Sequence, residues 1–132
     1  MSGGGLESVV QRYLNSEEKK MTNSPARLLT EFHSRFASPA DYTELLGLRC
    51  HLLQEETHEF VIAALENNRV GMADALADIA YVIYGTAEVL QIPLDECIQE
   101  VHRSNMTKEP GPTGKAIKGP NYSPPNLERI VK

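Results

Sequence analysis

Cysteine is scarce in this 132-residue sequence, which contains only Cys50 and Cys97. Each falls inside a predicted helix among apolar neighbours, so both read as buried free thiols of a reducing compartment. Residues 1–15 lack the basic and apolar segments of a secretory leader. No apolar run approaches the roughly 18 residues that a membrane span needs. The expectation is a soluble, cytoplasmic protein with no membrane partner. Beyond the mixed stretch Glu17-Glu18-Lys19-Lys20 there is no cluster of Lys and Arg, and the formal net charge is −5. That argues against a duplex nucleic-acid partner, and an acidic balance suits a protein that holds cations. The close His/Cys grouping of a zinc site is missing. So are Glu-x-x-His motifs on each of two helices, as a metal-storage bundle would require.

Strand-like alternation and internal repeats are also absent, whereas helical spacing is plentiful. With 41% hydrophobic and 23% charged residues, the composition is that of a folded globular chain. Residues 1–22 read as an N-terminal extension in which Leu6, Val9, Val10, Tyr13 and Leu14 follow helical spacing. Ser24-Pro25 starts the core with a capping hydroxyl and a proline at the first helical position, and the helix continues to Phe36. A long helix is predicted from Asp41 to Glu66, stopped by Asn67-Asn68. A third runs from Met72 to Leu90, with Pro93 after it, and a fourth from Leu94 to Asn105. From Pro110 to Pro125 the composition turns to Pro, Gly and Lys, which reads as an extended tail, with a last turn at Leu127–Val131. The fold class is all-α: a four-helix-bundle core over residues 23–108, the N-terminal helical extension, and the Pro/Gly-rich tail over 109–132.

On the second helix Leu45, Leu48, Leu52 and Ala63 form an apolar stripe, and Glu55, Glu56 and Glu59 fall inside it. A Glu-Glu-x-x-Glu run is ordinarily a solvated face. Here the three carboxylates point toward the core, where an uncompensated charge costs several kcal/mol, to order of magnitude. The third helix is apolar nearly all round (Met72, Leu76, Ile79, Val82, Ile83, Val89, Leu90), yet carries Asp74 and Asp78 four residues apart, with Tyr81, Gly85 and Glu88 continuing the row. Side by side, the two helices would form a carboxylate cage of Glu55, Glu56, Glu59 and Asp78, with Asp74 near by. Hard oxygen ligands suit Mg²⁺ or Mn²⁺, and Mg²⁺ commonly binds phosphate oxygens as well.

Leu94, Ile98 and Val101 are read as core-facing on the fourth helix, and Asn105 and Lys108 continue that line past its end. Lys108 could meet phosphate charge, and Asn105 could read a base or ribose, although both residue types are also ordinary near a helix C-terminus. His33, His51, His58 and His102 read as structural or surface groups.

The order Glu55-Glu56-x-x-Glu59, then Ala77-Asp78-Ile79-Ala80-Tyr81-Val82-Ile83-Tyr84-Gly85, resembles the MazG-like all-α nucleoside triphosphate pyrophosphohydrolases. Within them the chain looks closest to the single-domain, phosphoribosyl-ATP pyrophosphohydrolase-like branch. Val101-His102-Arg103-Ser104-Asn105-Met106-Thr107-Lys108 and Gly114-Lys115-x-x-Lys118-Gly119-Pro120-Asn121-Tyr122-x-Pro124-Pro125 are similar to that branch's later motifs. The resemblance implies a homodimer or homotetramer that converts an NTP or dNTP to the monophosphate and pyrophosphate. It makes Glu55, Glu56, Glu59 and Asp78 the metal-holding and catalytic residues. Asn105 and Lys108 would touch the nucleotide, and Lys115, Lys118 and Tyr122 would close over the phosphates. One position departs from the pattern: where the family writes Glu-x-x-Asp, this chain has Ala75 before Asp78. Asp74 is expected to substitute as a ligand or a nearby base. Two alternatives accompany this reading, a weakly active or inactive nucleotide-binding module and a phosphoribosyl-ATP pyrophosphohydrolase.

Overall fold

A computed structural model describes residues 9–12, 24–36 and 42–132. Four helices follow one another: α1 (Pro25–Phe36), α2 (Tyr42–Leu65), α3 (Arg69–Val89) and α4 (Leu94–Asn105). Residues 9–12 are helical as well; the rest of the predicted N-terminal extension, including Leu6, Tyr13 and Leu14, lies outside the described residues. The all-α expectation holds: among the described residues there are helices and one isolated bridge, but no strand. No single helix among them is long and apolar enough to cross a membrane. The chain divides into two compact units, Met1–Gly85 and Thr86–Lys132, with α3 running across the boundary.

In the first unit, α1 begins as its sequence dictates. The Arg27 amide donates to Ser24 Oγ at 3.3 Å, and Pro25 occupies the first turn, where no amide hydrogen is needed. Leu29 is the buried anchor of this helix at 2% exposure. The joint between α2 and α3 is made by two asparagines. Asn67 takes a left-handed conformation (φ 52°), which Asn tolerates better than most residues and which ends α2. Asn68 opens α3: its Oδ1 accepts from the Gly71 amide at 2.9 Å, satisfying a donor that the first turn leaves free. A Cβ at position 71 would come within 2.7 Å of Asn68 Nδ2 and 3.2 Å of Ala63 Cβ, so glycine is what lets the cap and the neighbouring helix approach together.

From this tight joint α2 and α3 return antiparallel in a fixed register. Ala63 lies against Gly71, Glu56 beside Asp78, and Arg49 against Gly85, each step seven residues along both helices. That is the spacing of a coiled-coil seam. Ala63, Ala75 and Gly85 are buried along it. The seam corrects the apolar stripe read from the sequence. Leu48 is exposed, because the inward row passes through Arg49, Glu56 and Ala63 and leaves Leu48 to one side. Leu76 at 54% and Ile83 at 39% exposure likewise stand outside it, so α3 buries its small residues rather than its large ones. Both cysteines are free, but only Cys97 is buried; Cys50 follows Arg49 on α2 and faces outward.

In the second unit, α3 closes with Gln91 in a left-handed conformation (φ 56°) and the Ile92 amide donating back to Ala87 O at 2.9 Å. This two-turn closure satisfies carbonyls that the helix end would otherwise orphan. Helix α4 then buries Cys97, Glu100 and Ser104. Ile98 and Val101, predicted to face the core, are exposed; the inward line of this helix lies one residue off, because it carries a charged anchor. Glu100, at 5% exposure, receives both Arg103 Nε (3.0 Å) and Nη2 (2.9 Å), the Asn126 amide (2.7 Å) and Arg129 Nη2 (2.9 Å). After Lys108 the chain has turns, bends and one isolated bridge rather than helix. It pairs once, at Glu109 and Ile117, turns at Gly114 (φ 87°), and ends in the expected turn with the Ile130 and Val131 amides donating to Leu127 O.

Two outcomes test these assignments. Asn68→Ala removes the cap of α3 and should cost about 1 kcal/mol in urea denaturation. Glu100 titrates at about 2 instead of its ordinary 4.5, held down by the hydrogen bonds from Arg103, the Asn126 amide and Arg129. Its stabilising contribution is thus fully present above about 4.5 and lost as pH falls toward about 2. Denaturation curves of Glu100→Gln should accordingly show a flatter loss of stability than wild type across that interval.

Candidate metal centre

The middle step of the α2–α3 seam is where the acids meet. One carboxylate oxygen from each of Glu56, Glu59 and Asp78 lies within 4.8 Å of the others. The helices dictate this meeting. Glu56 and Glu59 are three residues apart and share one face of α2, and the seam register sets Asp78 opposite them. Glu56 and Asp78 are half-buried, while Glu59 reaches solvent.

The group holds like charges close together. Glu56 Oε2 is buried and has no hydrogen-bond partner. The Glu56 carboxyl is held above its ordinary value, first by burial, then by the neighbouring charges of Glu59, Asp78 and Glu55. A buried carboxylate oxygen without a donor, beside two further acids, matches the all-oxygen set that hard divalent ions take. The residues present therefore fit Mg²⁺ or Mn²⁺, and Glu56, Glu59 and Asp78 are those that would hold it.

The other acids named from the sequence stand differently. Glu55 is exposed, and its Oε1 lies 3.6 Å from His51 Nε2 one turn earlier on α2. Asp74 is exposed, one turn before Asp78 on α3. Neither belongs to the group of three. Ala75, at the position where the resemblance expects glutamate, is 3% exposed and packs into the first unit. At the next step of the seam, Arg49 Nη2 and His33 Nε2 lie 3.3 Å apart, which ties α1 to α2. A Cβ on Gly85 would come within 2.9 Å of Arg49 Nη1 and 3.2 Å of Leu29 Cδ1, so three helices converge on that glycine. The sequence signals this only through a glycine inside an otherwise apolar helix.

The residues predicted to touch the nucleotide belong to the second unit. Asn105 is the exposed last residue of α4, and Lys108 is half-buried after it. Lys115 and Lys118 are exposed. Lys118 Nζ stands 5.1 Å from the centroid of the Tyr122 ring, a cation–π contact. Arg103, not singled out as a site residue, joins α4 to the tail through Ser123 Oγ (3.1 Å) and Pro124 O (3.0 Å).

A family model described as phosphoribosyl-ATP pyrophosphohydrolase matches residues 26–105. The chain belongs to that family. The phosphoribosyl-ATP pyrophosphohydrolase match takes in the whole α2–α3 seam with its three acids. The uncharacterized protein L479 of Acanthamoeba polyphaga mimivirus is 38% identical over 93 residues, which cover 63% of this chain and 36% of that protein. The chain thus spans about a third of the length of that relative.

Crowded acids give the centre a signature. Without divalent ions, Glu56→Gln removes a carboxylate that burial and its neighbours oppose, and should melt a few degrees above wild type in EDTA. With Mn²⁺ added the order should reverse, because only the wild type gains from the ion. Thermal denaturation in the two buffers reads out both signs.

Proposed function

We propose that this chain is a Mg²⁺-dependent nucleoside triphosphate pyrophosphohydrolase, with Mn²⁺ able to replace Mg²⁺, that converts an NTP or dNTP to the monophosphate and pyrophosphate. Its setting would be the cytoplasm, and its role nucleotide-pool house-cleaning. The observation that carries this reading is the convergence of Glu56, Glu59 and Asp78 around a buried oxygen with no donor, in a member of a pyrophosphohydrolase family.

The proposed ligand set is Glu56, Glu59 and Asp78, with Glu55 and Asp74 as the adjoining acids. A bound divalent ion would neutralise phosphate charge and lower the pKa of the attacking water. One carboxylate of the set accepts the proton of that water as it attacks the α-phosphate in line. Asn105 and Tyr122 would contact the nucleotide. Lys108, Lys115 and Lys118 would offset the charge that accumulates on the departing pyrophosphate. The protein would act as a homodimer or homotetramer, since Leu48, Val61, Ile62, Leu76 and Ile83 leave apolar surface on α2 and α3 that a second copy would cover.

Two other readings rest on particular observations. The family's own description favours phosphoribosyl-ATP as substrate. The buried Ala75 favours a nucleotide-binding module of weak or no turnover. A panel of all common NTPs and dNTPs together with phosphoribosyl-ATP, assayed for pyrophosphate with and without Mg²⁺, separates the three. In that assay Glu59→Gln and Asp78→Asn should fall to the metal-free background while circular dichroism keeps the wild-type helical signal. Undiminished pyrophosphate release by both variants would defeat the proposal.

A further inference from the structure

A buried glutamate in a short helix is costly, and Glu100 of α4 is buried for a purpose that the carboxylate group of the seam does not explain. All of its partners except Arg103 come from the tail: the Asn126 amide at 2.7 Å and Arg129 Nη2 at 2.9 Å. Arg103 extends the same connection. It donates to both oxygens of Glu100 and also to Ser123 Oγ and Pro124 O, so one guanidinium clasps helix and tail together. A second tie lies beside it. Thr107 Oγ1 donates to Ser104 O at 2.6 Å and accepts from the Ser123 amide at 2.8 Å. Ser123 is thereby fixed from two sides. Its neighbour Tyr122 donates its amide to Gly119 O at 3.1 Å and carries Lys118 over its ring. A continuous run of contacts therefore leads from the Glu100 carboxylate to the Lys118 ammonium.

The lysine loop has its own constraint. Glu109 and Ile117 exchange backbone hydrogen bonds at 2.8 Å in both directions, closing residues 109–117 into a small hairpin. A Cβ at Gly119 would collide with the Glu109 carboxyl group, so the chain leaving that hairpin passes tightly over its base. Lys115 and Lys118 are exposed on a segment that is stiff within itself and attached to α4 at the Ser123–Arg129 end.

We propose that Glu100 is a positioning residue for polyphosphate binding: by holding Arg103, Arg129 and the Asn126 amide, it fixes the tail so that Lys118 and Tyr122 stand ready for an anionic ligand. The proposal rests on the reading of the tail lysines as phosphate contacts. Glu100 touches no substrate; it acts through the tail. When the single negative charge shared by its two oxygens is removed, Arg103 and Arg129 lose the ionic partner common to both, and the acceptor of the Asn126 amide is weakened with it.

The test uses the full chain with Mn²⁺ and inorganic triphosphate, a probe that carries the phosphate charge and no base. In Glu100→Gln, hydrogen exchange at the Ser123 and Asn126 amides should accelerate and triphosphate affinity should fall about tenfold, the worth of a charge-assisted hydrogen bond or so. Mn²⁺ affinity without triphosphate should stay at the wild-type level. Arg129→Met, which removes one arm and leaves the Glu100–Arg103 pair intact, should produce a smaller shift in the same two readouts. Faster exchange with unchanged triphosphate affinity would overturn the proposal, as would loss of Mn²⁺ and triphosphate binding together, which marks general unfolding. Wild-type protein that binds no triphosphate would overturn it too. Wild type that binds triphosphate more tightly than Glu100→Gln but releases no pyrophosphate from any nucleotide would leave the positioning role standing and remove the proposed hydrolysis instead.

Discussion

Like charges repel, yet the α2–α3 seam brings three carboxylates within 4.8 Å of one another and buries an oxygen of one of them without a donor. Nothing in the local chemistry of the acids favours this. The meeting is imposed by the rest of the hairpin: the two-asparagine joint, the Gly71 and Ala63 contact at one end, and the convergence of Leu29, His33 and Arg49 on Gly85 at the other. The register that satisfies those contacts leaves Glu56 and Asp78 nowhere else to go. The fold thus spends part of its stability on an arrangement that is unfavourable by itself, as is common where burial and like charges converge at functional sites.

The legible parts of this structure were those written in local signals. Ser24-Pro25 and the α4 limits follow from caps and breakers a few residues away, and the structure agrees with them. Glu56, Glu59 and Asp78 could be picked out because acids on apolar helical faces contradict their surroundings. The apolar spacing of Leu45, Leu48 and Leu52 points one position away from the inward row. It groups Glu55 with Glu56, whereas the seam runs through Arg49, Glu56 and Ala63 and turns Glu55 toward His51. An arginine on the inward row is what disguised that row in the sequence.

Glu100 was hidden for a different reason. Its partners lie three, twenty-six and twenty-nine residues onward, and the most distant belong to a segment whose Pro, Gly and Lys content reads as structureless. Composition reports whether a segment can form its own core, not whether a single buried carboxylate elsewhere will hold it. Apolar spacing likewise points to Ile98 and Val101 as the inner face of α4, while that face is organised around an ion cluster.

The seam's small residues have a further consequence. Gly71 and Gly85 bracket the acids, each a little over 10 Å away along the helix axis at about 1.5 Å per residue. They act as spacers that fix how far apart the two backbones run, and so how wide a gap the oxygens must span. In the proposed role, ionic radius would be selected by side-chain volume at positions that carry no charge, which would separate the tuning of an ion from the identity of the groups proposed to hold it.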